Sequence, residues 1–194
     1  ATKVGLNWQD GKVFRDSRSA RIEEDVEKSL SRLRTDYIDL YQVHWPDTCT
    51  PFEETARALE NLVKSGKVKA LGLSNFSPAQ MDEFRKFAPV SAVQPPYNLF
   101  EREIERDVLP YAEKNNLVVL AYGPLCRGLL SGRMTADRKF EGDDLRKTDP
   151  KFQQPRLGQY LQAVEDLKAI ANKHGKSMLA LAIRWVLDRG PTIA

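Results

Sequence analysis

The chain has 194 residues and a formal net charge of +3, from 30 basic and 27 acidic side chains. A chain of this length can bury roughly 70% of its unfolded surface, so it needs neither a metal nor disulfides to form a core. The weak, mixed charge argues against nucleic acid as a partner. With only two cysteines, no signal peptide and no long apolar segment, the sequence predicts a cytoplasmic protein that does not bind membranes.

Both ends of the sequence have the character of strands. Residues 1–5 and residues 191–194 are largely apolar, and neither end carries the polar run that usually closes a domain. We therefore expect this sequence to be part of a larger domain.

Two amphipathic segments predict the first helices. Residues 19–33 carry apolar side chains at helical spacing. The side chains expected to be buried there are Ile22, Val26, Leu30 and Leu33. A second helix is expected to have Thr50 as its N-cap and Pro51 in its first turn, and to end at Gly66. Its expected buried stripe is Phe52, Ala56, Leu59 and Val63.

Strands and helices then alternate along the chain. Strands are predicted over residues 37–43, 68–73, 90–93 and 117–121. Further helices are predicted after a capping box at residues 77–80, and over residues 103–115, 159–174 and 177–188. His174 is interpreted as a structural residue at a helix C-terminus. The polar stretch of residues 127–158 is expected to be a long loop, either functional or partly disordered.

Each predicted strand ends on polar or aromatic residues. These segments are residues 41–44, 71–75, 93–97 and 120–123. Alternating strands and helices favour a parallel sheet, and barrel enzymes place their chemistry at the strand ends. The pattern favours a (β/α)8 barrel, with a flavodoxin-like open sheet as the alternative. A Rossmann fold is disfavoured because no Gly-x-Gly-x-x-Gly follows a strand.

Four segments resemble the aldo-keto reductase family. They are residues 1–3, 36–45, 66–76 and 122–130, in that order. With residues 94–98, the last segment is most similar to the bacterial general-stress branch. The resemblance covers essentially the whole chain. It implies a single α/β domain over residues 1–194, a (β/α)8 TIM barrel lacking its first two strands and the end of its last βα unit.

The resemblance also implies a reaction. Family members reduce aldehydes and ketones with NADPH, and a tyrosine protonates the carbonyl oxygen with help from a lysine, an aspartate and a histidine. A phenol titrates near pH 10, so a nearby ammonium group favours this role. Lys3 matches the lysine, and His44 matches the histidine that orients the carbonyl. Without the resemblance, Lys3 would be interpreted as an exposed lysine. For His44 the alternative is a core histidine, but the change from apolar residues to the polar segment 44–47 marks a strand exit and favours a functional residue.

The matching tyrosine and aspartate are expected to precede Ala1. The six tyrosines of this chain lie in other parts of the pattern. We therefore expect no carbonyl reduction by this exact chain alone.

The implied cofactor is NADP(H). Ser74, Asn75 and Gln94 match the residues that hold the nicotinamide carboxamide, although Ser74 and Asn75 also suit a turn. Tyr122 matches the aromatic residue that stacks on the nicotinamide ring; a core tyrosine is the alternative.

Phosphate binding is implied for the segment that follows Tyr122. The residues that match the pyrophosphate loop are Gly123, Pro124, Leu125, Cys126 and Arg127. Cys126 is interpreted as a packing residue and not a nucleophile. Arg133 and Arg146 match nucleotide-contacting residues, with a solvated loop as an equal alternative for Arg146.

Two other functions are consistent with the sequence. One is a non-catalytic nucleotide-binding subunit that regulates a partner protein, and the other is a barrel isomerase or lyase without nicotinamide. The expected partner of the enzyme is a small carbonyl substrate, selected in part by a loop over residues 7–18. The sequence does not predict the oligomeric state.

Overall fold

The computed structural model describes residues 1–190 and 193–194. Pro191 and Thr192, which belong to the predicted last strand, lie outside the described residues. The chain divides into two compact units. The first comprises Ala1–Pro95, Glu103–Leu120 and Ala194, and the second comprises Pro96–Arg102 and Ala121–Ile193.

The first unit contains seven strands and four helices among its described residues. The strands are β1 (Thr2–Val4), β2 (Leu6–Gln9), β3 (Lys12–Arg15), β4 (Ile38–Val43), β5 (Val68–Ser74), β6 (Ala92–Gln94) and β7 (Val118–Val119). The helices are α1 (Ser19–Leu33), α2 (Phe52–Lys64), α3 (Pro78–Arg85) and α4 (Val108–Lys114). Five strands form a parallel sheet in the order β1-β4-β5-β6-β7. The expected alternation of helices and parallel strands is confirmed.

The segment between β1 and α1 is more regular than expected. Residues 7–18 were predicted to be a loop, but β2 and β3 pair as an antiparallel hairpin in which Trp8 faces Val13. Both side chains are largely exposed. A two-residue turn, Asp10 and Gly11, joins the strands with positive φ at both positions, as tight hairpins require.

Helix α1 has the predicted bounds. Ile22, Val26 and Leu30 are buried, as their spacing predicts. Leu33 was expected to be buried too, but it is the last helical residue and is 51% exposed. The helix ends at Arg34, whose φ of 55° is left-handed and whose N–H donates to the carbonyls of Leu30 and Ser31.

The start of α2 corrects the capping prediction. Thr50 does not cap the helix, because its hydroxyl donates instead to Asp47 Oδ2 at 2.8 Å. Ala56 and Leu59 are buried as expected, whereas Phe52 and Val63 are only half-buried. The capping box at α3 is confirmed, since Ser77 and Gln80 exchange side-chain to backbone hydrogen bonds.

Two later predictions in the first unit were too long. The predicted helix over residues 103–115 is a 3-10 turn, Glu103–Glu105, followed by α4, which Asp107 caps. The last strand of the sheet contains only Val118 and Val119, and Val118 is 45% exposed. This strand is therefore not buried on both faces.

The second unit is built on two helices, α5 (Arg156–Lys173) and α6 (Met178–Leu187). Its buried core consists of Cys126, Leu129, Leu130, Phe152, Leu157, Val164, Met178 and Ala182. The polar stretch 127–158 contributes to this core and contains 3-10 turns at Cys126–Ser131, Leu145–Lys147 and Pro150–Phe152. Asp144 and Asp149 cap the last two turns, so the stretch is ordered where partial disorder was one expectation. Within the described part of the chain, no helix is both long and apolar enough to cross a membrane.

Candidate active site

The first unit brings four strand ends together at one edge of its parallel sheet. In register, Lys3 of β1 pairs with Gln42 of β4, and Ser74 of β5 pairs with Gln94 of β6. His44 follows β4 directly, and its backbone N–H donates to the carbonyl of Val4 at 2.9 Å. The polar residues that follow the strands therefore converge, as carboxyl ends of parallel strands do.

Lys3 and His44 line one cavity of about 300 Å³. Leu6 and Trp8 from the hairpin strand β2 also line it, so polar and apolar groups face the same space. Both Lys3 and His44 are half-buried. Burial lowers the pKa of His44, and repulsion by the Lys3 ammonium lowers it further. Near neutral pH this histidine is therefore a neutral imidazole that can donate one hydrogen bond.

The residues matched to the carboxamide form a fixed polar cluster. The Ser74 hydroxyl donates to the backbone carbonyl of Gln94 at 2.8 Å, and the Asn75 N–H donates to the same carbonyl at 3.3 Å. Asn75 Nδ2 lies 3.0 Å from both Ser74 Oγ and the carbonyl of His44. Asn75 also has a φ of 64°, which asparagine tolerates better than most residues. Ser74 and Asn75 can therefore form a turn, as one interpretation of the sequence had it, and still lie beside His44.

Asp47 organises the segment after His44 and was not singled out from the sequence. Its carboxylate accepts hydrogen bonds from Ser17 N–H at 3.0 Å, Cys49 N–H at 2.9 Å and the Thr50 hydroxyl at 2.8 Å. Burial opposes ionisation of this carboxylate, but these bonds outweigh it and hold the pKa of Asp47 below its usual value. The bond from the residue two positions later is an Asx-turn pattern that the sequence alone could have suggested.

The second unit contains the segment matched to ring stacking and phosphate binding. Tyr122 is 38% exposed, and its carbonyl accepts a hydrogen bond from Tyr97 N–H at 3.0 Å. Burial raises the pKa of Tyr122, and the nearby Glu101 charge adds to this effect. A partly exposed ring on a fixed backbone suits stacking against a planar group.

The loop after Tyr122 has an unusual backbone. Cys126, Arg127 and Gly128 have consecutive positive φ values of 47°, 52° and 98°. The turn is closed by a bond from Cys126 N–H to the carbonyl of Gly123 at 2.8 Å and by one from Gly128 N–H to the carbonyl of Leu125 at 2.9 Å. The residues matched to the pyrophosphate loop, Gly123 to Arg127, therefore lie in a tight turn, and the N–H groups of Cys126 and Gly128 are bonded within that turn.

An ionic network, also missed from the sequence, supports this loop at both ends. Arg127 Nη1 donates to Asp149 Oδ2 at 2.8 Å, and Lys151 Nζ lies 3.2 Å from that oxygen and 2.9 Å from Glu101 Oε1. Asn98 Nδ2 connects Glu101 Oε2, at 2.6 Å, to the carbonyl of Gly123, at 3.0 Å. The network joins Gly123 to Arg127 through residues far apart in sequence.

The structure distinguishes the two other arginines. Arg146 forms a bidentate ion pair with Asp144, stacks over the Phe140 ring at 4.5 Å and donates to the carbonyl of Arg127 at 3.4 Å. It is thus held beside the loop and is not a freely solvated side chain. Arg133 is exposed, and its backbone N–H donates to the Ser131 hydroxyl.

Cys126 has the environment of a packing residue. It is 1% exposed and belongs to the core of the second unit. Burial, assisted by the Glu101 charge, raises the pKa of its thiol to about 12. A thiol of that acidity is a poor nucleophile at neutral pH, as predicted from the sequence. No group of metal-binding side chains occurs among the described residues.

Comparison with known proteins gives one consistent family. The model of the aldo/keto reductase family matches residues 1–194. Aldo-keto reductase YhdN from Bacillus subtilis is 57% identical over 190 residues, which are 97% of this chain and 57% of that protein. Aldo-keto reductase yakc from Schizosaccharomyces pombe, whose name specifies NADP(+), is 34% identical over 198 residues. The match covers 100% of this chain and 58% of that protein.

A solved structure agrees with these relatives. The glycerol dehydrogenase AKR11B4 from Gluconobacter oxydans matches 100% of this chain and 61% of its own, with 58% identity and a TM-score of 0.93. This chain therefore spans about three fifths of the length of the proteins it matches. The predicted α/β fold class of (β/α)8 type and the predicted family resemblance are confirmed by these matches.

Proposed function

We propose that this chain, which belongs to the aldo/keto reductase family, is part of an NADPH-dependent oxidoreductase that reduces small aldehydes or ketones to alcohols. The observation that supports this most directly is the cavity in which a neutral His44 and the Lys3 ammonium face the same space. The proposed location is the cytoplasm, and the proposed partner is a small carbonyl compound.

Each of the two residues has a distinct proposed role. His44, as a neutral imidazole, donates a hydrogen bond to the substrate carbonyl oxygen and stabilises the negative charge that develops there. Lys3 supplies a positive charge that favours the ionised form of a neighbouring phenol. The proton donor is proposed to be a tyrosine outside these 194 residues. Tyr41 is unsuited to that role because it is fully buried and its burial raises the pKa of its hydroxyl.

The donor sets of both units suit parts of a dinucleotide. Ser74, Asn75 and Gln94 present the hydroxyl and amide groups that a carboxamide requires. In the second unit, Tyr122 offers a ring for stacking, and the loop from Gly123 to Arg127 offers backbone donors and a guanidinium for the pyrophosphate, with Arg133 and Arg146 as further contacts. When bound, NADPH supplies the hydride. The preference for NADPH over NADH is proposed from the yeast relative.

The test is reduction by the full-length protein that contains this chain. NADPH oxidation is followed at 340 nm with a panel of small aldehydes and ketones that includes glyceraldehyde and dihydroxyacetone, because one solved relative is a glycerol dehydrogenase. We expect His44→Gln and Lys3→Met each to lower kcat by about 10²-fold or more. Lys64→Met, at an exposed lysine in the last turn of α2, is the matched control and should leave kcat unchanged.

Other outcomes would identify the alternatives. Tight NADPH binding without turnover on any substrate favours a regulatory nucleotide-binding subunit. The absence of both turnover and fluorescence quenching by NADPH favours an isomerase or lyase. Expressed alone, the 194-residue chain is predicted to reduce no carbonyl compound, and robust turnover by it would refute the proposed external proton donor.

A further inference from the structure

The hairpin of β2 and β3 has one largely apolar face. Leu6 pairs with Arg15, and Trp8 pairs with Val13. Directly paired residues of an antiparallel hairpin, and residues two apart in one strand, project their side chains to the same side, so these four share a face. Trp8 is 65% exposed and Val13 is 68% exposed. Neighbouring apolar side chains left in solvent mark a contact surface for another molecule.

This face borders the cavity of the proposed catalytic pair. Leu6 and Trp8 line the same space of about 300 Å³ as Lys3 and His44. A substrate whose carbonyl oxygen accepts a hydrogen bond from His44 therefore has its substituents beside an apolar surface. Contact with an indole ring favours an aromatic substituent there, because offset or edge-to-face ring pairs add to the burial of apolar area.

Arg15 joins the hairpin to the segment that follows His44. Its Nη1 atom donates a hydrogen bond to the backbone carbonyl of Pro46 at 2.9 Å, and its guanidinium lies 5.3 Å from the centre of the Trp45 ring. A planar guanidinium can donate at its edge while its face stacks on an aromatic ring, which an ammonium group cannot do. Because Pro46 is two residues from His44, these contacts fix the hairpin relative to that histidine.

The connection matters because the hairpin is a small sheet of its own. In the part of the chain that the structure describes, β2 and β3 are separate from the five-stranded sheet, and every residue of β3 is exposed. A two-stranded hairpin is at best marginally stable alone in water, so its position depends on contacts at its base and on its face. At the base, the N–H of Asp16 donates to the carbonyl of Gly5 at 3.1 Å. Arg15 supplies the contact on the face.

We infer that Arg15 is a positioning residue that holds the hairpin so that Leu6 and Trp8 form an apolar wall of the substrate site, and that Trp8 favours carbonyl compounds with an aromatic substituent. This inference rests on the proposed function and names its substrate class. Arg15 acts through the hairpin and not on the reacting carbonyl group. Without its guanidinium the wall moves, and the contact between Trp8 and the substituent is lost.

The first test measures the hairpin in the full-length protein without any assay of activity. Hydrogen exchange of the backbone amides of residues 6–15 is followed by mass spectrometry in the wild type and in Arg15→Met, which keeps the aliphatic stem. We expect exchange in the variant to be at least about tenfold faster. Arg57→Met is the matched control, because Arg57 also bonds to a neighbour, Glu53, and lies over a ring, Phe87, at 5.4 Å, but belongs to α2. Hairpin exchange unchanged by Arg15→Met overturns the positioning role.

The second test compares benzaldehyde with acetaldehyde, whose methyl group offers little surface to an indole ring. Trp8→Ala and Arg15→Met should each lower kcat/KM for benzaldehyde at least about tenfold and change kcat/KM for acetaldehyde less than about threefold. Trp8→Phe, which keeps a ring, should recover much of the loss. The dissociation constant of NADPH should be unchanged in all three variants. Equal effects on the two aldehydes, or no effect on either, overturn the inference.

The inference and the proposed function fail in different ways. A wild type that oxidises NADPH with no carbonyl compound refutes the proposed function and the substrate preference with it, and hydrogen exchange then decides whether Arg15 holds the hairpin. A wild type that turns over, but whose preference between the two aldehydes is unchanged by Trp8→Ala and Arg15→Met, refutes the inference alone.

Discussion

The side-chain amide of Asn75 donates a hydrogen bond to the backbone carbonyl of His44 at 3.0 Å. The same Nδ2 atom lies 3.0 Å from the hydroxyl of Ser74, and that hydroxyl donates to the carbonyl of Gln94. Three neighbouring strand ends are thereby joined through the side chains of Asn75 and Ser74. The backbone of His44, whose imidazole is proposed to orient the substrate, thus belongs to the same hydrogen-bonded unit as the cluster proposed to hold the carboxamide.

Replacing Asn75 should separate its two contributions. Asn75→Ala removes the side-chain bonds and places an ordinary residue at a φ of 64°, so we expect a loss of about 2 kcal/mol in the free energy of unfolding. Asn75→Gly removes the same bonds but tolerates that φ, and should lose only about 1 kcal/mol. Urea unfolding of both variants measures the difference. Equal losses would show that the backbone conformation contributes nothing.

The charge of Lys3 should be visible in the titration of His44. Burial is the larger cause of the low pKa of His44, and the Lys3 ammonium is the second. Lys3→Met should therefore raise the pKa of His44, while burial still keeps it below 6.5. Proton NMR of the imidazole resonances measures this pKa, with His44→Gln to assign the signal. An unchanged pKa would contradict the proximity of the two groups.

The same shift has a consequence for stability. Because the pKa of His44 is lower in the folded state, the unfolded state binds more protons as the pH falls. The contribution of His44 is therefore fully present above pH 6.5 and is lost as the pH decreases through its folded pKa. His44→Gln should weaken the dependence of stability on pH in this range, which urea unfolding at several pH values would measure.

Local patterns predicted the helices well, and contacts between distant residues explain where the sequence was insufficient. The bounds of α1 and the capping box at Ser77 depend on residues within a few positions of each other. Thr50 has the right local pattern for an N-cap, but the Asp47 carboxylate takes its hydroxyl. The ordered structure of the segment 127–158 depends in part on the ion pair between Lys151 and Glu101, which are 50 positions apart in the sequence.

In the candidate site, too, the residues marked by a local pattern were predicted and those defined by distant contacts were not. The strand-end motifs predicted His44 and the cluster at Ser74, because each lies where a strand finishes. Lys3 lies within β1 and was predicted from the family resemblance alone. Asp149 could not be found in this way, since its contacts are ion pairs to side chains of a folded loop. No periodicity in the sequence reports such contacts.

The ionic network of the second unit should stabilise the protein mainly above acidic pH. Burial opposes ionisation of Asp149, but Lys151 and Arg127 outweigh it and hold its pKa below 3.8. Asp149→Asn should lower the free energy of unfolding at pH 7 by about 2 kcal/mol, which is less than for a fully buried pair because Arg127 is half-exposed. Glu165→Gln, which breaks an exposed ion pair in the same unit, should change little.

The pH dependence of the Asp149→Asn effect follows from the sign of the shift. A carboxyl group with a lowered folded pKa contributes its stability above its unfolded pKa, and loses it as the pH falls through the folded value. The difference between the wild type and Asp149→Asn should therefore shrink as the pH decreases below about 4, the range of an unperturbed aspartate. A difference that persists undiminished to pH 2 would mean that the carboxylate charge is not its source.

The two cysteines should differ sharply in reactivity. Cys49 is exposed, whereas Cys126 is buried in the core of the second unit with a thiol pKa of about 12. At pH 8 and without denaturant, we expect an aromatic disulfide reagent to modify one thiol per chain rapidly, because only a thiolate reacts and Cys126 forms almost none. Cys49→Ser should abolish this fast reaction, and Cys126→Ser should preserve it. In guanidinium chloride both thiols should react. Rapid modification of Cys126 in the folded protein would contradict its burial or the raised pKa of its thiol.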